Sequence, residues 1–504
     1  MPDSYIEKIL TARVYDVADE TPLELASSLS RRLDNRVLLK REDLQQVFSF
    51  KLRGAYNKIY NLSEAQKHSG VITASAGNHA QGVALAGSSL GIKTVIVMPE
   101  TTPEIKVNAV LSFGGNAVLH GDNYNDALSF ALAMAKDKGL TFVHPYDDPD
   151  VIAGQGTIGV EILRQHPDQI DAVFIPVGGG GLIAGVATYL KYLRPEIKVI
   201  AVEPEDTPTL ERALAAGKPV LLDNVGLFAD GVSVQQIGEE PFRIAKDLVD
   251  ECVLVSTDEM CAAIKDIFED TRTMTEPAGA LAIAGVKKYI AKNQCSNQTL
   301  IAINSGANIN FDRLRHVTER AEVGERREAL LAVTIPEKPG AFCAFCEAIG
   351  KRVITEFNYR YADNRDAQVF AGIRLTGGDA EKSELLQNLR DQGYRVSDLT
   401  DNELAKVHLR YLVGGHAPNV EDEILYRFLF PERPAALRKF LAALGHRWNI
   451  SLFHYRNHGS AHGRILVGIQ VPSGDRKDFQ RSMEKLNYQY WEEQENPVYK
   501  LFLS

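Results

Sequence analysis

Ala172-Val173-Phe174-Ile175-Pro176-Val177-Gly178-Gly179-Gly180-Gly181-Leu182 is an apolar run that ends in four glycines and passes at once into a second apolar stretch. Residues 172–190 carry no charge and are long enough to raise a membrane-spanning reading, but Pro176 and the glycines divide them into strand, loop and helix. Bare backbone can wrap closely around a phosphate, and the first N–H groups of the following helix point at it. A flexible turn is the competing reading. It fits poorly, because four glycines are entropically costly to order and an apolar helix follows directly. No Gly-Lys-Ser/Thr completes a Walker loop and no GxGxxG marks a dinucleotide site, so the phosphate expected at this loop belongs to a small ligand.

The same alternation extends in both directions along the chain. Gly70-Val71-Ile72-Thr73, Lys93-Thr94-Val95-Ile96-Val97-Met98 and Ala117-Val118-Leu119 precede it; Lys198-Val199-Ile200-Ala201-Val202 and Thr299-Leu300-Ile301-Ala302-Ile303 follow, each separated by a longer helical pattern. Continuous apolar strands between helices imply an α/β fold with a parallel sheet covered on both faces. Ligands of such sheets bind beyond the carboxyl ends of the strands, where the glycine run and two further polar motifs stand.

The 504 residues give room for about three domains, and a 45% hydrophobic content supplies their cores. A net charge of -10 without any basic block argues against nucleic acid as main partner and leaves small molecules. The start, MPDSYIEKIL, lacks the basic region and apolar core of a secretory signal, so a cytoplasmic protein without membrane association is expected. Five cysteines, Cys252, Cys261, Cys295, Cys343 and Cys346, form no disulfide framework and read as reduced thiols.

Ser49-Phe50-Lys51-Leu52-Arg53-Gly54-Ala55-Tyr56-Asn57 places one lysine after an aromatic in a short amphipathic stretch. Most lysines stay solvated on a helix face. A buried one loses hydration and its pKa falls, so its free amine can form a Schiff base and later act as a base. Ser75-Ala76-Gly77-Asn78-His79-Ala80-Gln81-Gly82 follows a strand and opens a helix, whose N-terminus suits a substrate carboxylate held by Ser75 and the next amides. Asn78 could donate to a phenolate oxygen. On this motif alone an ordinary Ser75 cap, with Asn78 and His79 in solvent, stands equally. In Asn304-Ser305-Gly306-Ala307-Asn308, Ser305 can meet a ring nitrogen. A neutral hydroxyl does not hold a pyridine nitrogen protonated, which disfavours transamination and leaves proton removal and β-elimination.

Three features fall outside this expected site. Glu276 opens a helix, where an acid favours the dipole for structural reasons. Glu203 ends a strand without a second carboxylate at a suitable spacing, so no metal is expected. His144-Pro145-Tyr146-Asp147-Asp148-Pro149 reads as a loop ordered by its prolines, without a part in catalysis.

Residues 312–328, dense in charge, read as a helix tail and a linker, and beyond them the chain nearly repeats itself. LLAVTIPEKPGAFCAFCEAIG from Leu330 is echoed by LYRFLFPERPAALRKFLAALG from Leu425: Pro336, Pro339 and Gly350 match Pro431, Pro434 and Gly445 at a spacing of 95. Asn358-Tyr359-Arg360 then matches His454-Tyr455-Arg456 at 96, which marks a duplicated module with a one-residue insertion. Each copy reads strand, helix, strand, strand, helix, strand, as in ferredoxin-like ligand-binding modules. Cys343 and Cys346 map to Arg438 and Leu441, so the CxxC pair is not shared and reads as core packing. The stretches 356–361 and 451–456 lie at matching places; they read equally as an amino-acid effector site and as plain edge strands.

SFKLRGAYNKI, SAGNHAQGVA, GGGGL and SGAN, in this order, resemble the fold-type II pyridoxal-phosphate enzymes and, more narrowly, the threonine ammonia-lyase family. The paired tail resembles the ACT-like regulatory modules of its biosynthetic, isoleucine-inhibited form. The resemblance implies a catalytic domain over 1–320 with two subdomains, and ACT-like modules over 328–412 and 422–504. It implies pyridoxal 5'-phosphate held by Lys51, with Phe50 packed on its ring, Asn78 at its phenolate oxygen, Gly178, Gly179, Gly180, Gly181 and Leu182 around its phosphate, and Ser305 at its ring nitrogen. Lys51 and Ser75 are then the catalytic pair. The implied reaction is deamination of L-threonine to 2-oxobutanoate and ammonia, the first step of isoleucine synthesis, with L-serine as a second substrate, isoleucine as inhibitor, valine's part open, and a homotetrameric assembly. A serine racemase or serine dehydratase shares the catalytic motifs but lacks the tail. A non-catalytic amino-acid sensor would not need all of Lys51, Asn78, the glycines and Ser305.

Overall fold

The computed structural model describes residues 2–336, 341–350, 352, 354–360, 366–411, 421–431, 447–456, 462–486 and 488–503. They form two compact units, Met1–Phe311 and Asp312–Ser504.

The first unit holds ten strands: β1 (Leu23–Leu25), β2 (Arg36–Arg41), β3 (Val71–Ala74), β4 (Thr94–Met98), β5 (Asn116–Leu119), β6 (Thr141–Phe142), β7 (Ala172–Pro176), β8 (Lys198–Pro204), β9 (Glu251–Val255) and β10 (Thr299–Asn304). They make two sheets rather than one. The larger runs β1-β2-β10-β7-β8-β9 and is parallel apart from β1; the smaller, β5-β4-β3-β6, is wholly parallel. Burial on both faces shows in the smaller sheet, where Ile72, Val95 and Val97 enter one core while Val71, Ile96 and Met98 enter another. The strand β2 escapes an apolar pattern search because Arg36, Lys40 and Arg41 punctuate it; Lys40 and Arg41 are nonetheless buried, paired with Glu161 at 2.6 Å and Asp43 at 2.8 Å.

The helix Lys51–Tyr60 is seated by close backbone approach and by buried charge. A Cβ on Gly54 would come within 2.8 Å of the Val151 carbonyl, and one on Gly154 within 2.7 Å of the Gly54 Cα, so this helix and Pro149–Gln165 touch main chain to main chain. On its other side a Cβ on Gly82 would stand 3.1 Å from the Leu52 nitrogen. Arg53, fully buried, donates through Nε to Glu42 at 2.8 Å and through Nη1 to Glu161 at 2.6 Å. Two cations, Lys40 and Arg53, thus face two carboxylates, Glu42 and Glu161, and the cluster is neutral.

The second unit begins with the helix Arg313–Gly324, in the stretch where the residue pattern predicts a helix tail and a linker. Part of its charge is buried: Arg313, His316 and Arg320 lie inside with Val317, Ala321 and Val323, and Arg320 pairs with Glu403. Next come β11 (Glu328–Pro336), β12 (Ile354–Arg360), β13 (Asp366–Arg374) and β14 (Arg395–Asp398), then β15 (Glu423–Pro431), β16 (Asn449–Arg456), β17 (His462–Gln470) and β18 (Gln489–Glu492). The antiparallel orders β12-β13-β11-β14 and β16-β17-β15-β18 are the same topology twice. Even the irregularity repeats, between Ile354 and Glu356 and between Ile450 and Leu452. The two modules share a core in which Leu330, Ala332 and Phe370 of one meet Leu425 and Leu466 of the other. The side chains of Cys343, Cys346 and most of the matched polar-aromatic stretches lie outside the described residues.

Gly154→Ala is expected to lower stability by about 1–3 kcal/mol, the usual cost of overpacking, because the added methyl meets rigid backbone. The shift of the denaturant midpoint of the full chain measures it.

Candidate active site

The strand β10 lies between β2 and β7, and the chain leaving its carboxyl end turns back onto the lysine motif. Ser49 and Gly306 form an antiparallel bridge, the Phe50 amide donates to the Ser305 carbonyl at 3.3 Å, and the Ala307 amide donates to the Phe48 carbonyl at 2.8 Å. Backbone pairing therefore joins two motifs that are far apart in sequence. Lys51 is the first residue of its helix; its Nζ donates to the Pro145 carbonyl at 3.1 Å and stands 5.3 Å from the Phe50 ring centroid. Burial lowers the Lys51 pKa to about 8, against the opposing pull of the Glu276 carboxylate.

Asn78 opens the helix Asn78–Ser89 and is buried. Its Nδ2 donates to Glu276 Oε1 at 2.6 Å, and its Oδ1 accepts from Asn308 Nδ2 at 2.7 Å. One N–H of the amide remains for a ligand. The solvent-facing alternative fails: Gly77 occupies the cap position, His79 is buried with its Nε2 3.0 Å from the Val143 carbonyl, and burial pushes the His79 pKa down to about 3. Ser75 follows β3; its amide donates to Val97, and its Oγ accepts from the Gly77 amide at 3.3 Å.

The glycine run follows β7 and opens the helix Gly181–Leu193. Its walls leave no room for side chains: a Cβ would lie 2.8 Å from the Val232 Cα at Gly178, 2.2 Å from the Tyr146 ring at Gly179, and 2.9 Å from the Tyr146 carbonyl at Gly181. Gly180 adopts φ 88°, which favours glycine. The Gly178 and Gly179 carbonyls are tied outward, to Thr209 Oγ1 at 2.8 Å and the Gly238 amide at 3.1 Å. The first amides of the helix, Gly181 and Leu182 among them, have no intrahelical acceptor. Ser305 Oγ donates to the Ala278 carbonyl at 3.3 Å.

Two features outside the site expected from sequence enter it. Glu276 sits at a helix start as expected, but its carboxylate turns inward onto Asn78 and acts on Lys51. The loop from His144 to Asp147 supplies Lys51's acceptor through Pro145 and packs the Tyr146 ring on Gly179. The run His-Pro-Tyr-Asp-Asp-Pro was visible in sequence; what it touches was not.

Residues 14–306 match the model of the family described as pyridoxal-phosphate dependent enzyme, and residues 319–409 and 414–503 match the C-terminal regulatory domain of threonine dehydratase. The biosynthetic L-threonine dehydratase of Burkholderia multivorans is 56% identical over 99% of both chains, and that of Escherichia coli 53% identical over 99% of this chain and 97% of its own. The chain belongs to the biosynthetic threonine dehydratases of the pyridoxal-phosphate dependent enzyme family. Among solved structures, the processed form of threonine deaminase isoform 2 from Solanum lycopersicum is 52% identical, with TM-score 0.63 over 64% of this chain and 93% of that one. A serine racemase from Dictyostelium discoideum is 32% identical, with TM-score 0.57 over 61% of this chain and 99% of that one.

The threonine dehydratase fold thus brings together a lysine of lowered pKa, an aromatic ring beside it, a hydroxyl past β10 and a bare-backbone cradle. This set fits pyridoxal phosphate, and the exclusion of any Cβ at Gly178, Gly179 and Gly181 is what a phosphate seat requires. Glu203, by contrast, is engaged by protein: the Leu210 and Glu211 amides donate to it at 2.7 and 2.9 Å, and Thr209 Oγ1 stands 2.9 Å away, while burial pushes its carboxyl up to about 7. The Thr209 hydroxyl lies between Glu203 and the Gly178 carbonyl, 2.8 Å from the latter, and so links the carboxyl to the glycine run.

Replacing the carboxylate in Glu276→Gln keeps a hydrogen-bonding group beside Asn78 and removes the charge that raises the Lys51 pKa. The pH midpoint for uptake of pyridoxal phosphate by the apo-protein, followed by its visible absorbance, is expected to move to lower pH than in the parent, whose amine titrates at about 8.

Proposed function

We propose that this threonine dehydratase deaminates L-threonine to 2-oxobutanoate and ammonia, the first step of isoleucine synthesis, and accepts L-serine as a second substrate. The observation that carries the reading is that one loop joins Lys51 to the glycine run, the Pro145 carbonyl accepting from Lys51 Nζ and the Tyr146 ring lying on Gly179, on a chain matched over its full length by biosynthetic threonine dehydratases. Bound pyridoxal phosphate supplies an aldehyde that condenses with amines and a ring that accepts the electrons of the bond broken at the α-carbon.

The chain's residues supply the rest. Lys51 Nζ, largely uncharged once pH passes about 8, removes the proton from the substrate α-carbon. Ser75 and the amides opening the helix Asn78–Ser89 take the substrate carboxylate, where the helix dipole favours an anion. Phe50 would pack on the cofactor ring, Asn78 would donate to its phenolate oxygen, and the amides of Gly178 to Leu182 would hold its phosphate. Ser305 offers the ring nitrogen a neutral hydroxyl, which leaves electron withdrawal moderate and steers the outcome to loss of the β-hydroxyl. Water leaves across the α and β carbons and returns when ammonia is released, so the net change is deamination.

The 312–504 unit regulates, with isoleucine as the effector in the duplicated modules; it acts through unequal affinity for two states of the protein. A homotetramer in the cytoplasm is the assembly and place we assign. Among the described residues no helix is long and apolar enough to cross a membrane.

Lys51→Ala is expected to cost roughly a thousandfold or more in threonine turnover, since it removes both the covalent anchor and the base. Ketoacid release from threonine, measured with and without isoleucine, tests both halves: sigmoidal inhibition supports the regulator, and unchanged turnover in the Lys51 variant overturns the site.

A further inference from the structure

The loop between β6 and the helix Pro149–Gln165 touches both the lysine and the glycine run. The Pro145 carbonyl accepts from Lys51 Nζ, the Tyr146 ring covers Gly179, and the Asp147 carboxylate accepts from the Glu239 and Glu240 amides at 3.0 and 3.1 Å, capping the helix Glu239–Leu248. The Gly238 amide, one residue before that helix, donates to the Gly179 carbonyl. What folds this loop is a single ring atom. His144 Nδ1 lies 2.8 Å from the Asp147 amide and 3.3 Å from the Tyr146 amide, and both donate to it. An imidazole nitrogen that accepts two N–H groups carries no proton, so the tautomer is the one protonated at Nε2.

We propose that His144 is a positioning residue for cofactor binding: its unprotonated Nδ1 gathers the Tyr146 and Asp147 amides, and so sets the Pro145 carbonyl against Lys51 and the Tyr146 ring against the phosphate loop. This rests on the reading of Lys51 and the glycine run as the pyridoxal-phosphate site.

The surroundings favour the neutral ring. His144 is partly buried, with the Tyr146 ring edge-on at 4.7 Å and the Phe142 ring at 6.1 Å. Burial lowers its pKa below the usual 6.5, and Lys51 acts in the same direction while Asp147 and Asp148 oppose; the nearby His79 is itself held neutral. Because the folded value is depressed, the contribution of this contact is complete above 6.5 and is lost as pH falls through the folded pKa. A protonated Nδ1 would face two donors and release the loop.

The test is cofactor affinity of the apo-protein, titrated with pyridoxal phosphate and read by visible absorbance and by quenching of intrinsic fluorescence, at neutral pH and at pH about 5.5, below the unperturbed imidazole value. His144→Ala is expected to bind roughly tenfold more weakly at neutral pH, the scale of losing an acceptor that serves two part-buried donors. His144→Asn places a carbonyl oxygen near the position of Nδ1 and does not protonate. It should keep near-parent affinity at neutral pH and lose less than the parent on acidification. Parent-like affinity in His144→Ala at both pH values overturns the proposal. So does His144→Asn as weak as His144→Ala while its circular dichroism matches the parent's. A parent that takes up no cofactor would instead overturn the reading of Lys51.

Discussion

The Lys51 helix is held by a fully buried salt-bridge cluster, and the chemistry of the first unit depends on it. Arg53 stands two residues after Lys51 and is clamped between Glu42 and Glu161, with Lys40 completing charge balance. Such a cluster is costly to desolvate and adds little net stability against an apolar replacement, but losing one partner leaves a naked charge in the core. It is therefore better understood as fixing register than as fastening the fold. Main-chain contact at Gly54, Gly82 and Gly154 sets the same helix from its flanks, so the lysine amine stands where burial can lower its pKa.

Around that fixed amine the site is assembled from loops that leave strand ends of both sheets. Ser75 follows β3 of the smaller sheet; the glycine run and Ser305 follow β7 and β10 of the larger. Glu276 is the charge that opposes the effect of burial on Lys51, and the neighbouring His79 and His144 are kept neutral by burial. A neutral hydroxyl past β10 accords with elimination rather than amino-group exchange. Glu276 then has two effects, orienting the Asn78 amide and moderating how far the Lys51 pKa falls.

The second unit is built on a different economy of contacts. Its two modules bury a common core between sheets, and Glu403 joins the helix Arg313–Gly324 to β17 through Arg320 and Arg464. Burial disfavours ionising Glu403, yet these cations hold its carboxyl down to about 2. A charge triad spanning the first helix of the unit and the second module ties the duplicated parts into one body.

Local pattern determined much of this protein. The apolar strands, the four motifs that follow or precede them, and the repeat at a spacing of 95 are linear features, legible because strand burial, bare-backbone loops and duplication each leave a periodic or compositional trace. The strand β2 escaped because Lys40 and Arg41 interrupt its apolar pattern, and the charged stretch 312–328, read as a helix tail and a linker, proved to carry the helix Arg313–Gly324, whose Arg320 is neutralised by the distant Glu403. Only tertiary structure decided that the strands divide into two sheets, that Glu276 turns onto Asn78, and that His144 gathers the loop beneath Lys51. Those outcomes rest on contacts between residues remote in sequence or on a turn's exact path, and neither is encoded in the spacing of residues along one strand or helix.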